Sequence, residues 1–88
     1  MSTDEKKVLI YETALCGFCK AAKRLLDSKK VEYETIRVDV DSAQKQIMME
    51  RSGRRTVPQI FVGDHHIGGF DDLSELESAG KLDAVLSR

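Results

Sequence analysis

The sequence predicts an α/β domain in the order β-α-β-α-β-β-α, built on a four-stranded mixed sheet. Three observations carry that expectation. A β-branch-rich apolar run, Val8-Leu9-Ile10-Tyr11, leads into a helical pattern; a second strand pattern follows soon after; and a Gly63-Asp64 turn separates two further strand-like runs. A strand, a helix and a strand within about 30 residues form a crossover unit, which makes the two strands parallel. The hairpin adds an antiparallel pair.

Taken in order, Val8 to Tyr11 reads as an interior strand because it is short, apolar and β-branched. Ala21, Ala22, Leu25 and Leu26 then share one face at helical spacing, with Lys20, Lys23 and Arg24 on the rest. Lys29-Lys30 and Glu32 make a polar connection. Tyr33 to Asp39 alternates and reads as a second strand, with Tyr33, Thr35 or Ile36, and Val38 inward. Ser42 can cap a second helix through about Ser52, with Ala43, Ile47 and Met48 turned inward and Gly53 as its stop. Gln59-Ile60-Phe61-Val62 and His65-His66-Ile67 flank the hairpin turn, and Gly68-Gly69 ends the second of these strands. Asp71 and Asp72 can cap a third helix carrying Leu73 and Leu76, with Asp72 and Glu75 at capping-box spacing. A last short helical segment holds Leu82, Val85 and Leu86. This is the element order of a thioredoxin-type architecture; the arrangement of strands within the sheet does not follow from it.

At 88 residues, 41% apolar and 33% charged, the chain is expected to be one domain over 1–88, with a flexible N-terminus at 1–6. The net charge of −1 argues against a nucleic-acid partner, which calls for a basic patch. No apolar run approaches the roughly 18 residues of a membrane span. The start, Met1-Ser2-Thr3-Asp4-Glu5-Lys6-Lys7, is polar and has no apolar signal core, so a cytoplasmic location is expected.

Both cysteines of the chain fall in Cys16-Gly17-Phe18-Cys19, between the first strand and the first helix. That places Cys16 at a helix N-terminus, where unpaired backbone N–H groups and the helix dipole favour negative charge. A thiol in such a position ionises more readily, and the thiolate is the reactive form. A C-x-x-C is also half of a zinc site, with His65-His66 as the other half. Tetrahedral zinc needs four convergent ligands, whereas adjacent strand residues point to opposite faces. The strand-then-helix context favours redox chemistry.

Three separated signatures then occur in order: Cys16-Gly17-Phe18-Cys19, Thr56-Val57-Pro58 and Gly68-Gly69-Phe70-Asp71-Asp72. On these the chain resembles the glutaredoxins, of the bacterial dithiol kind, over nearly its whole length. The resemblance implies a thioredoxin-like fold and glutathione-dependent thiol–disulfide exchange, with Cys16 as nucleophile and Cys19 as resolving thiol. It implies a cis Pro58 that turns the Val57 N–H and C=O toward the cysteine of glutathione, with Phe18, Thr56 and Phe70 beside it. Gly69 lets backbone approach the ligand, the turn after it presents N–H groups to the γ-glutamyl carboxylate, and Asp71 and Asp72 can pair with the ammonium. The glycine carboxylate needs a cation, for which Lys45 and Arg51 are the candidates.

Glutathione is thus the expected co-substrate. Glutathionylated or disulfide-containing proteins are the expected partners, with glutathione reductase acting indirectly through oxidised glutathione. The expected state is a monomer, with no metal. A rival reading is a carrier of a [2Fe–2S] cluster, held as a dimer by Cys16 of each chain and two glutathiones, since such clusters take four thiolates. Two departures from the family pattern bear on this. Thr13 stands where many glutaredoxins have lysine, and Gly17-Phe18 replaces the more familiar Pro-Tyr pair. The lack of tryptophan and the Gly68-Gly69-Phe70-Asp71 run argue against thioredoxin itself.

Overall fold

β1 (Val8–Glu12) lies at the centre of the molecule and alternates its side chains between two cores. The computed structural model describes residues 7–86; the 1–6 segment expected to be flexible lies outside the described residues. After β1 come α1 (Gly17–Ser28), β2 (Glu34–Arg37), α2 (Ser42–Ser52), β3 (Gln59–Val62), β4 (His65–Gly68), α3 (Phe70–Ser78) and α4 (Leu82–Val85). The strands form one sheet in the order β2-β1-β3-β4. β1 pairs parallel with β2 and antiparallel with β3, and β3 pairs antiparallel with β4. This is the thioredoxin-like fold.

On one face of the sheet, Val8, Ile10, Ile60 and Val62 pack against Ala22 and Leu26 of α1, Leu73 of α3 and Leu82 of α4. On the other, Tyr11 and Phe61 meet Met48 of α2, with Val38 completing the cluster. The period-2 alternation of β1 and β3 therefore feeds both cores at once, as expected for central strands covered on both sides. Each fully buried Leu, Ile or Met contributes about 1.5–3 kcal/mol.

Several local expectations are corrected. Asp41, not Ser42, caps α2: its side chain accepts the Gln44 N–H at 3.1 Å. Ala43 is exposed and Ile47 is 39% exposed, because α2 turns Met48 and Met49 toward Tyr11 and Phe61, a stripe rotated by one residue. Of the two alternatives on edge strand β2, Ile36 takes the inward position as one of them expected, and Thr35 is exposed. β2 stops at Arg37, where the guanidinium holds Asp39 through two bonds of 2.7 and 2.8 Å and turns the chain. Asp39 also accepts the Ala14 N–H at 3.1 Å, so this turn braces the loop that leads to Cys16. Its carboxyl is held well below the usual range, first by Arg37. At α3 the cap is Gly69 rather than Asp71 or Asp72, and the box closes from Asp72 back to Gly69 instead of between Asp72 and Glu75.

Candidate active site

Cys16 is the N-cap of α1, with extended backbone (φ −124°, ψ 107°), and its sulfur does what a capping oxygen usually does. It accepts the Cys19 N–H at 3.0 Å, one of the orphan donors of the first helical turn. Donors of this kind bond an anionic acceptor more strongly than a neutral one. Cys16 is half-buried and Phe18 is 62% exposed, so this sulfur sits at an open mouth. Cys19, a turn further, is fully buried. Burial, followed by its hydrogen bond with Cys16, pushes the Cys19 thiol up to about 12. The two thiols are free and chemically unequal.

The second wall is the segment before β3. The Val57–Pro58 peptide is cis, and the Cys16 thiol lies 3.9 Å from the Val57 carbonyl oxygen, to which it donates a long S–H···O contact. Gln59 fixes this segment from beneath. Its fully buried amide donates to the Thr56 carbonyl (3.0 Å) and hydroxyl (3.2 Å), and its oxygen meets the His66 ring nitrogen at 2.7 Å. Gln59 was not among the expected site residues. The signal that could have found it is a lone amide at the head of an otherwise apolar buried strand, where it needs partners.

The third wall is the β4–α3 turn. Gly68 adopts φ +119°, and a Cβ there would collide with the Asp72 carboxylate. The absence of that atom lets Asp72 reach back to the Gly69 N–H at 3.0 Å. The same oxygen, Oδ2, also receives Arg54 Nη1 at 3.1 Å. Together these hold the Asp72 carboxyl below its usual range, with the Gly69 amide the larger cause. Phe70 stacks on Phe18, with ring centroids 6.2 Å apart and planes 24° apart, and so ties α3 to the helix that carries both cysteines.

These walls enclose an open cleft of about 280 Å³. Phe18, Thr56, Val57, Pro58, Gly69, Phe70, Asp71 and Asp72, all expected from the sequence, line it together. Lys45 and Arg51 do not. Lys45 is exposed on α2, and Arg51 donates to the Tyr11 hydroxyl (3.1 Å) and the Gly63 carbonyl (3.4 Å) while lying 4.0 Å over the Phe61 ring. The cation that does line the cleft is Arg54. The volume lies just below the usual range for ligand pockets, roughly 300–1,000 Å³. Among the described residues no group of three or more His, Cys, Asp or Glu side chains gathers to hold a metal ion, and no helix is long and apolar enough to cross a membrane.

Comparison with known proteins points one way. A family model described as Glutaredoxin matches residues 8–67. A protein described as glutaredoxin from Pseudomonas aeruginosa is 48% identical over 80 residues, covering 91% of this chain and 95% of its own. Glutaredoxin 3 of Escherichia coli is 47% identical over 79 residues, covering 90% and 95%. The crystal structure of a buckwheat glutaredoxin–glutathione complex superposes with a TM-score of 0.85 at 33% identity, covering 93% of this chain and 77% of the other.

Proposed function

The chain belongs to the glutaredoxin family, a family of thiol–disulfide oxidoreductases, and from that membership we propose that it works with glutathione, reducing glutathionylated proteins and protein disulfides. The observation that carries this reading is the position of the Cys16 sulfur. It lies between the Cys19 N–H (3.0 Å) and the carbonyl of Val57 (3.9 Å), and Val57 in turn lines the cleft with Gly69, Phe70 and Asp72. A cysteine-centred tripeptide has a backbone to pair with Val57 and a zwitterionic head for the α3 end. Neither cation expected for the glycine carboxylate reaches the cleft: Arg51 is engaged with Tyr11 and Phe61, and Lys45 is exposed on α2.

In the proposed cycle the Cys16 thiolate attacks the glutathione sulfur of a glutathionylated protein. The substrate sulfur leaves as a thiolate and takes up a proton from water, and glutathione stays on Cys16 as a mixed disulfide. A second glutathione thiolate attacks that glutathione sulfur, oxidised glutathione departs and the Cys16 thiolate is restored. With a protein disulfide, the Cys16 thiolate first attacks one substrate sulfur and releases the other as a thiolate; Cys19 then loses its proton, attacks the Cys16 sulfur of that mixed disulfide and expels the first substrate sulfur as a thiolate, closing a Cys16–Cys19 bridge that two glutathiones then reduce. Burial holds the Cys19 thiol in its protonated form, and it must lose that proton before it can attack. A reducing cytoplasm suits this cycle.

The test is reduction of a glutathionylated protein with glutathione as the sole electron source and glutathione reductase to recycle it. Turnover that survives Cys16→Ser, or that needs a thioredoxin-type reductase instead, would sink the proposal.

A second reading has its own support. Cys16 is half-buried beside Gly17, which has open space where a side chain would be. One chain offers too few thiols for a [2Fe–2S] cluster, so Cys16 of two chains and two glutathiones would have to hold it. Bound, such a group would store or carry iron and sulfide. Purification without oxygen tests this: colourless monomer after reconstitution removes the reading.

A further inference from the structure

Of the two adjacent histidines, His65 is exposed and His66 is half-buried. His66 stands opposite Phe61 in the β3–β4 pairing and stacks on it, with ring centroids 4.7 Å apart and planes 27° apart. Gln59 and Phe61 lie two residues apart on β3 and share a face, which makes His66 a diagonal neighbour of Gln59. The two side chains meet where His66 Nε2 approaches Gln59 Oε1 at 2.7 Å. The proton in that contact belongs to the histidine. The Thr56 carbonyl can only accept, so the Gln59 amide turns its NH2 group that way and its oxygen toward the ring. Burial, and then the nearby Arg54, hold the His66 ring below its ordinary value. Near neutral pH the ring is therefore uncharged, and its one N–H lies on Nε2.

We propose that His66 is a positioning residue for exchange at Cys16: through Gln59 it fixes the Thr56–Val57 peptide, the edge that receives the backbone of the ligand's cysteine. This rests on the reading of glutathione as co-substrate given above. Polarity runs one way along the contacts. The His66 N–H donates to Gln59, and Gln59 donates to both the carbonyl (3.0 Å) and the hydroxyl (3.2 Å) of Thr56. Val57 comes next, with its carbonyl 3.9 Å from the Cys16 sulfur. Gln59 is fully buried, and a buried amide with its oxygen unpaired is costly. Without the His66 N–H, the Gln59 amide therefore gains by turning over or by moving toward water. Either change releases its two bonds on Thr56. His66 itself lies outside the residues that line the cleft, so it acts on the reaction only through Gln59.

The experiment uses the full chain carrying Cys19→Ser, so that only Cys16 reacts. It measures by mass the equilibrium yield of mixed disulfide with oxidised glutathione and with bis(2-hydroxyethyl) disulfide, which has no peptide backbone. His66→Phe keeps a ring to stack on Phe61 and removes the donor. It should lower the constant for glutathione by about tenfold and leave that for the hydroxyethyl compound unchanged. His66→Gln, whose amide N–H lies as many bonds from the backbone as Nε2, should recover part of the loss. In a Gln59→Leu background, where the intermediary is gone, His66→Phe should have no further effect. The proposal is overturned if His66→Phe leaves glutathione unchanged, if it weakens both disulfides alike, or if its effect persists in full beside Gln59→Leu. Should His66→Phe not fold, Gln59→Leu alone decides, since it must show the same selective loss. A parent protein that does not prefer glutathione to the hydroxyethyl compound overturns the glutathione reading, and the positioning role with it.

Discussion

The backbone N–H of Cys19 points at the sulfur of Cys16 from 3.0 Å, while the Cys19 thiol itself is fully buried. One residue thus serves the chemistry twice: its amide holds the attacking sulfur, and its thiol waits in the protonated form. The two roles can be separated by substitution, because the amide survives any side-chain change.

Cys19→Ser should therefore keep, or raise, turnover on glutathionylated substrates and lose the reduction of protein disulfides. The amide that faces Cys16 remains, and only the competing closure is removed. Parallel assays on one substrate of each kind check this. Loss of both activities together would mean that the Cys19 sulfur shares the nucleophilic role.

The raised Cys19 thiol also links stability to alkaline pH. Its folded-state value lies above the ordinary 9.0, at about 12, so the folded state binds this proton more tightly than the unfolded chain. The stabilisation is full below about 9 and is lost as pH rises toward 12. Denaturant midpoints of the reduced protein should fall over that window, and the fall should be smaller in Cys19→Ala. The difference between the two curves matters, since burial raises the Tyr33 hydroxyl as well.

Asp72→Ala removes the acceptor of the Gly69 N–H at the start of α3. The expected cost is about 1 kcal/mol, or roughly 4–8 °C in Tm for a domain of this size. Glutathione binding should fall more steeply than stability, because the same oxygen faces the cleft through its Arg54 contact. Thermal melts beside mixed-disulfide equilibria separate the two effects. A variant that does not fold would make this aspartate a structural residue first.

Gly68→Ala and Gly17→Ala should differ in sign. Gly68 combines φ +119° with a Cβ position inside the Asp72 carboxylate, so alanine there should cost about 1–3 kcal/mol and displace Asp72. Gly17 lies in the first turn of α1 with nothing within 4 Å of its Cβ position. Alanine there should be neutral, or stabilising by about 0.4–1 kcal/mol. Chemical denaturation of the two variants gives the comparison directly.

The parts of the fold that were legible in the sequence are those with local causes. The apolar runs of β1 and β3, the Gly63-Asp64 turn and the Gly53 stop all appear where local patterning puts them. The strand order β2-β1-β3-β4 was not legible, because it depends on which distant strands find each other. The phase of α2 was misread for a related reason. Ala43, Ile47 and Met48 are all apolar, and only the position of Tyr11 and Phe61 across the sheet selects the Met48–Met49 stripe. In the site, residues inside compact motifs were found, and those outside were not. Arg54 is one of three basic residues among the ten from Lys45 to Arg54, and only the turn after Gly53 brings it, rather than Arg51, to Asp72.

The antiparallel pairing of β1 with β3 sets Tyr11 opposite Gln59 and Val8 opposite Val62. The cleft is therefore a seam between two stretches of chain that are far apart in sequence. Severed after Gly53, the N-terminal piece would keep Cys16 and Cys19, and the C-terminal piece would keep Arg54, Val57, Gly69 and Asp72. Neither piece would carry a cleft. A nascent or partly unfolded chain thus has its sulfurs before it has the walls that receive a ligand. Selective exchange at Cys16 becomes a reporter of whether the central strand pair has closed.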